Sequence, residues 1–353
     1  MRLNLFLAAP LLVAGLAPSA EACTEPPAAA EVQESLPSKV ANPIERFARM
    51  VDGAWRMTSQ SGMDMFDRWH KGPGMHSMRV MTDGHSADGN PWRALWVVYW
   101  HPRFKIIRSL GLNPYKAGVS EGTVAFDGDS LEAVFDMHQT GGTRKLKSRW
   151  TFDGPDKYHD ELLESNGTAA YTPLTAWDRV RIQPAASPPR HTVEGGEKPP
   201  ARLVAFESLL GHAWESSGEI KGEWVTSGSI SKIRSSVELI PLANGIYIRT
   251  TGLSEGNEPT HLLDTYIYHH TGADVLRCLG LSSRGGVYEG DLALVDGGAL
   301  ETVLNGFEFE RDIQILVRIE HEQDGSLRHR AWSVESAARA LMLDVRYRKV
   351  QPK

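Results

Sequence analysis

The chain has 353 residues, with 38 Lys and Arg against 44 Asp and Glu and a formal net charge of −6. Both signs are interspersed, which excludes the basic footprint of a protein that binds nucleic acid or an anionic membrane. The length exceeds what one hydrophobic core usually holds, so two domains are expected.

Residues 1–22 read as a signal peptide. Arg2 supplies the positive start, Leu5 to Leu16 is an apolar stretch, and Ala20-Glu21-Ala22 is an A-x-A cleavage site. That stretch is too short to span a bilayer and nothing later is apolar enough, so no transmembrane segment is expected. An exported protein of the periplasm or cell envelope follows. Cleavage after Ala22 would leave Cys23 first, and both a lipid anchor at Cys23 and a free periplasmic protein stay open. Residues 23–43, rich in Pro, Ala and Glu, read as a flexible tether. The other cysteine is Cys278. A bridge to Cys23 would tie a loose terminus to a core, so a buried free thiol is expected there.

The first barrel is placed at 44–182. Asn42 and Pro43 look like an N-cap and first helical residue, leading through IERFARMV into Gly53-Ala54-Trp55. MHSMRVMT and WRALWVVYW have strand character, separated by a turn at Gly89-Asn90. The unit closes on the basic strand Asp178 to Arg181. A Pro/Gly-rich linker, 183–201, precedes a second unit at 202–350. There LVAFESLL leads to Gly211-His212-Ala213-Trp214, GIYIRTTG and HLLDTYIYHH read as strands with Gly256-Asn257 as a turn, and Asp344 to Arg348 closes.

The two units are copies. RSLGLNPYKAGVSEG at 108–122 returns as RCLGLSSRGGVYEG at 277–290, 169 residues later at its arginine and 168 at its glutamate. Each unit, about 140 residues of short strands and turns with one helical lead-in, suits an antiparallel barrel. The fold class is therefore mainly β: two tandem barrels, each with a short N-terminal helix.

The G-x-W opening strand and arginine-bearing closing strand resemble the lipocalin (calycin) superfamily, and the whole chain resembles exported bacterial proteins with tandem lipocalin-like domains. The likeness runs from Phe47 to Arg348, and the second copy departs by one residue inserted into G-x-W. It implies that an arginine stacks on the tryptophan at the closed barrel end. Trp55 with Arg179 or Arg181, and Trp214 with Arg346 or Arg348, would be such structural pairs.

The remaining motifs each have a simpler structural alternative. Gly118-Val119-Ser120-Glu121-Gly122 matches a nucleophile elbow, but strand-like residues follow it and the second copy has Tyr288 at the serine. Arg108 with Glu121, and Arg277 with Glu289, could be a poised acid–base carboxylate. A hairpin ion pair facing solvent or a barrel rim is the simpler expectation, at roughly 0–1 kcal/mol. The histidines lack metal-ligand spacing: His70 and His76 flank a Gly-Pro-Gly turn, and the adjacent His269 and His270 point to opposite strand faces. No metal or cofactor is expected, although a haem held by one histidine leaves no spacing signature.

One asymmetry remains. Trp69, His70, His76, Trp92, Trp96, Trp100 and His101 concentrate aromatic and imidazole groups in the first unit, with Trp92, Trp96 and Trp100 on one strand face. They are either barrel core or a pocket that stacks on an apolar or aromatic small molecule. Three functions are consistent with this pattern: a non-enzymatic exported binder with its pocket in the first barrel; an isomerase, hydratase or cyclase on an apolar substrate, with Glu121 or a histidine in a cavity; or a structural envelope protein with no ligand.

Overall fold

A computed structural model describes residues 42–51, 53–58, 63–114, 118–167, 170–183, 200–216, 230–240, 244–253, 259–295, 298–334 and 339–350. The segment read as a signal peptide, Cys23, most of the expected tether and linker, and the expected Gly256-Asn257 turn lie outside them.

The first barrel comprises β1 (Ala54–Thr58), β2 (Asp64–Lys71), β3 (Ser77–His85), β4 (Pro91–His101), β5 (Ile106–Asn113), β6 (Gly118–Asp127), β7 (Ser130–Gln139), β8 (Gly142–Phe152), β9 (Lys157–Ser165) and β10 (Tyr171–Ile182). The second comprises β11 (Ala213–Ser216), β12 (Lys232–Ile240), β13 (Gly245–Leu253), β14 (Thr260–His270), β15 (Val275–Ser282), β16 (Val287–Leu294), β17 (Leu300–Glu308), β18 (Arg311–His321), β19 (Leu327–Ser333) and β20 (Ala340–Val350). Each runs as an antiparallel meander and closes by pairing its first strand with its last. Ten strands close each barrel, two more than in lipocalins.

The lead-ins are short 3-10 helices, Pro43–Met50 and Ala201–Leu209. Asn42 caps the first, its side chain accepting from the Ile44 N–H at 3.1 Å. Ile44, Phe47 and Met50 enter the first core, as Leu203, Phe206 and Leu209 enter the second. Each opening tryptophan ties its helix down: Trp55 Nε1 donates to the Met50 carbonyl at 3.0 Å, Trp214 Nε1 to that of Leu209 at 3.4 Å. Arg181 stacks 4.5 Å from the Trp55 ring centre. On Trp214 the stacking cation is Lys349, at 5.6 Å, and not Arg346 or Arg348. Lys349 lies opposite Trp214 in the register, the position that Arg181 holds opposite Trp55, while Arg346 pairs with Glu322.

Mostly apolar side chains line the barrel interiors, whereas the outer wall of β7–β9 carries ion pairs such as Lys147–Glu132 and Arg149–Glu161. A membrane barrel has the reverse pattern. No helix among the described residues is long and apolar enough to cross a membrane. Cys278 is a buried free thiol, pushed up to about 12 by burial.

A third core lies between the barrels. Leu95, Val97, Tyr99, Leu110, Leu112 and Val119 pack against Tyr247, Tyr266, Tyr268, Leu279, Leu281 and Val287. The repeated motif therefore forms this contact from both sides, as in an isologous interface. Its glycines are placed by close approach. A Cβ on Gly122 would meet the Val134 carbonyl oxygen at 2.1 Å, and one on Gly290 the Val303 oxygen at 2.3 Å.

The hairpin ion pairs expected from sequence are replaced by reciprocal pairs across this contact. Arg108 Nη1 lies 3.1 Å from Glu289 and Arg277 Nη1 lies 3.3 Å from Glu121. Tyr99 donates to Glu289 and Tyr268 to Glu121, each at 2.8 Å. Within the first hairpin, Arg108 faces Thr123 and Glu121 faces Leu110. The strand face assigned to solvent or a rim is covered, with Val119 fully buried.

Candidate functional site

Strand alternation sorts the sequence-predicted residues onto two faces. Trp69 on β2 and Trp96 and Trp100 on β4 belong to the core inside the first barrel. Trp92 shares their face at the start of β4, half-buried. The three histidines do not join them. His70 and His101 alternate with inward tryptophans and so lie on the outer wall, where burial lowers His101 to about 4. His76 follows the 3-10 turn Pro73–Met75 and lies against the second barrel, its ring about 3.3 Å from where a Cβ on Gly285 would stand.

The inward side chains form an aromatic floor. The Phe47 ring, supplied by the helix, lies 5.8 Å from Trp69, whose edge contacts are Trp96 at 5.9 Å and Trp150 at 6.0 Å. Trp150 stacks on Tyr158 at 4.9 Å. Trp96, Ser148 and Trp177 face inward on the closed wall and stay half-buried.

Beside this floor runs a charged network that sequence reasoning missed. Asp67 sits one alternation from Trp69 and is fully buried; Asp160, two residues from Tyr158, is nearly so. Arg179 on β10 joins them, pairing with Asp67 and, at 3.2 Å, with Asp160. Thr82 donates to Asp67 at 2.7 Å and Ser148 to Asp160 at 2.6 Å, and Trp150 Nε1 donates to Ser148 at 2.8 Å. One guanidinium cannot fully compensate two buried carboxylates. Burial pushes the Asp160 carboxyl up to about 7 and brings Arg179 down to about 10. The readable signal was a charged residue on the apolar face of an alternating strand, as in Met65-x-Asp67-x-Trp69.

The second barrel supplies a control. Trp55 lies opposite Asp67 and Arg181, and Trp214 opposite Ser235 and Lys349. Continuing these registers, Asp67, Asp160 and Arg179 correspond to Ser235, His329 and Tyr347. Tyr347 hydrogen-bonds Ser235, and its ring stacks 6.5 Å from His329, which burial lowers to about 4. The same layer is thus built without a fixed charge, and Trp69, Trp96 and Trp150 are replaced by Val237, Thr265 and Ile319.

Among the described residues, one group of ligand atoms lies close enough for a metal: Glu121, His138 and His270, between the barrels. Its chemistry opposes a cation. The Ala273 N–H donates to His270 Nδ1 at 3.0 Å, which leaves the ring proton on Nε2, the nitrogen facing Glu121. Arg277 already neutralises the carboxylate. Burial alone would raise Glu121, but the His270 and Tyr268 hydrogen bonds and the Arg277 charge outweigh it and hold it at about 2. Ser120 lies within strand β6, on no strand-to-helix turn, so it is no nucleophile elbow; its hydroxyl fills the space that Gly111 leaves.

No family model matches this chain, and no curated protein matches it. Solved structures similar to it include a protein of unknown function of the DUF3598 family from Nostoc punctiforme, 10% identical, covering 87% of this chain and 98% of its own, with a TM-score of 0.22. A putative outer membrane protein from Bacteroides fragilis is 9% identical over 85% and 96% of the two chains, with a TM-score of 0.19. At those TM-scores neither likeness bears on function.

Proposed function

We propose that this chain is an exported binding protein for an apolar or aromatic small molecule, with its site inside the first barrel. One observation carries this reading: of two copies of one barrel, among the described residues, only the first has the Trp69–Trp96–Trp150 cluster and a buried Asp67–Arg179–Asp160 network. Buried ionic groups rarely stabilise a fold relative to apolar replacements, and the second barrel closes without them. The tryptophan faces offer stacking and the network offers polar contacts that fix orientation. Titrating the full chain with retinol, Nile red and naphthalene should quench tryptophan emission, and Trp96→Ala should weaken that binding about tenfold or more. A panel that leaves the emission unchanged would count against a binding role.

Export rests on the Arg2, Leu5–Leu16 and A-x-A pattern, and the lipocalin-like assignment on the plugged end with its Trp55–Arg181 stack. Cell fractionation checks the first: the protein belongs in the envelope fraction, and loss of membrane association in Cys23→Ser would identify a lipid anchor. Recovery in the cytoplasm would contradict export.

Asp160 favours a second reading. A carboxyl near 7 can give and take a proton at neutral pH, as an isomerase, hydratase or cyclase requires. Glu121, by contrast, faces the second barrel and lines neither interior. Under this reading Asp160→Asn binds the ligand and abolishes its turnover; a ligand recovered unchanged from wild type leaves binding alone.

A further inference from the structure

Four inward-facing polar groups of the first barrel have no hydrogen-bond partner among the described residues: Trp69 Nε1, Tyr158 Oη, Trp177 Nε1 and Arg179 Nε. Trp69 and Tyr158 are almost wholly buried. All four are N–H or O–H donors, and a buried donor left unpaired is costly. They are neighbours in the wall: Tyr158 lies opposite Arg179, Trp177 opposite Asp160, and Trp69 one alternation from Asp67. Two inward acceptors also lack a hydrogen-bond partner among the described residues: Asp67 Oδ2, which is ion-paired with Arg179, and Gln139 Oε1, which lies at the far end of β7.

These donors are not demanded by the fold. Their register counterparts in the second barrel are Val237, Leu327, Val345 and Tyr347, of which the first three have no polar side-chain atom and the last bonds Ser235. Among the described residues, the unpartnered buried atoms of the second barrel are on Arg234 and Arg330, both on the outer wall. The first barrel has therefore gathered unpaired donors where its twin has none.

We infer that the ligand of the first barrel is a neutral, planar ring molecule carrying a carbonyl oxygen, such as an aromatic ketone or quinone, held by these donors between tryptophan faces. The inference rests on the binding role proposed above and names the ligand class. An acceptor oxygen is what four donors lack. Neutrality follows because Asp67 and Asp160 already flank Arg179, so an anionic ligand would meet two carboxylates. Planarity follows from the ring-lined floor, where stacking rewards a flat face.

Equilibrium dialysis of the full chain against 9-fluorenone, fluorene and 9-fluorenone-4-carboxylate tests this. The neutral ketone should bind about tenfold or more tighter than the hydrocarbon and the carboxylate. Trp69→Phe keeps a ring and removes one donor, and Tyr158→Phe does the same. Each should lower ketone affinity several-fold more than it lowers fluorene affinity, with circular dichroism confirming the fold. Equal affinity for fluorenone and fluorene, or ketone binding indifferent to both variants, overturns the acceptor inference while leaving the binding site intact. Binding of none of the three, nor of the quenching panel, overturns both.

Discussion

Asp160 and Glu121 are carboxylates of one barrel driven in opposite directions by their surroundings. Asp160 is buried beside an arginine it shares with Asp67, and burial raises it from 3.8 to about 7. A raised folded-state value favours the fold below the unfolded value, and that contribution is lost as pH rises through about 7. Glu121, held at about 2 against an ordinary 4.5, contributes above 4.5 and loses its contribution as pH falls toward 2. Urea unfolding from pH 3 to pH 8 should show wild type losing stability relative to Asp160→Asn between pH 4 and pH 7, on the order of 1–4 kcal/mol. Relative to Glu121→Gln, the loss should come on the acid side. Parallel curves for wild type and Asp160→Asn would mean that Asp160 is not raised. Neither group could be ranked from sequence, because each shift depends on distant strands: burial inside the closed barrel outweighs the Ser148 hydrogen bond for Asp160, and His270, Arg277 and Tyr268 of the other barrel outweigh burial for Glu121.

At the scale of elements, much was legible. Alternation and turn residues mark β3 and β4, and Asn42-Pro43 marks the start of the first helix, because these signals act over a few residues. Period two also put Trp92, Trp96 and Trp100 on one face, and it is the inward one. The same rule, applied to the histidines, separates His70 and His101 from the tryptophans beside them. Grouping them by nearness in sequence obscured this, since adjacent strand residues point apart. Alternation gave Glu121 an outward side too, but what covers that side is not a local property.

At the scale of the molecule, the repeated motif is the contact between the barrels. Arg108 and Glu289 are each about a third exposed, so their attraction is screened and modest. Arg108→Glu and Glu289→Arg should each lower the melting temperature, and the double variant should recover about 1 kcal/mol of the summed loss. Additive losses would show that the pair is not coupled. The recovery distinguishes a cross-barrel pair from the hairpin pair, because the hairpin partner Glu121 is unchanged in every variant.

By itself the sequence determined two mainly-β copies, the inward tryptophan stripe and the helix that leads into each barrel. Such features follow from periodicity and from short-range capping and turn chemistry. Only the tertiary structure decided that the shared Arg and Glu reach across to the other copy. It alone brought Asp67, Asp160 and Arg179 from β2, β9 and β10 into one network. Closing a barrel joins its first strands to its last, so Asp67 meets Arg179 across a separation in sequence that no local pattern records.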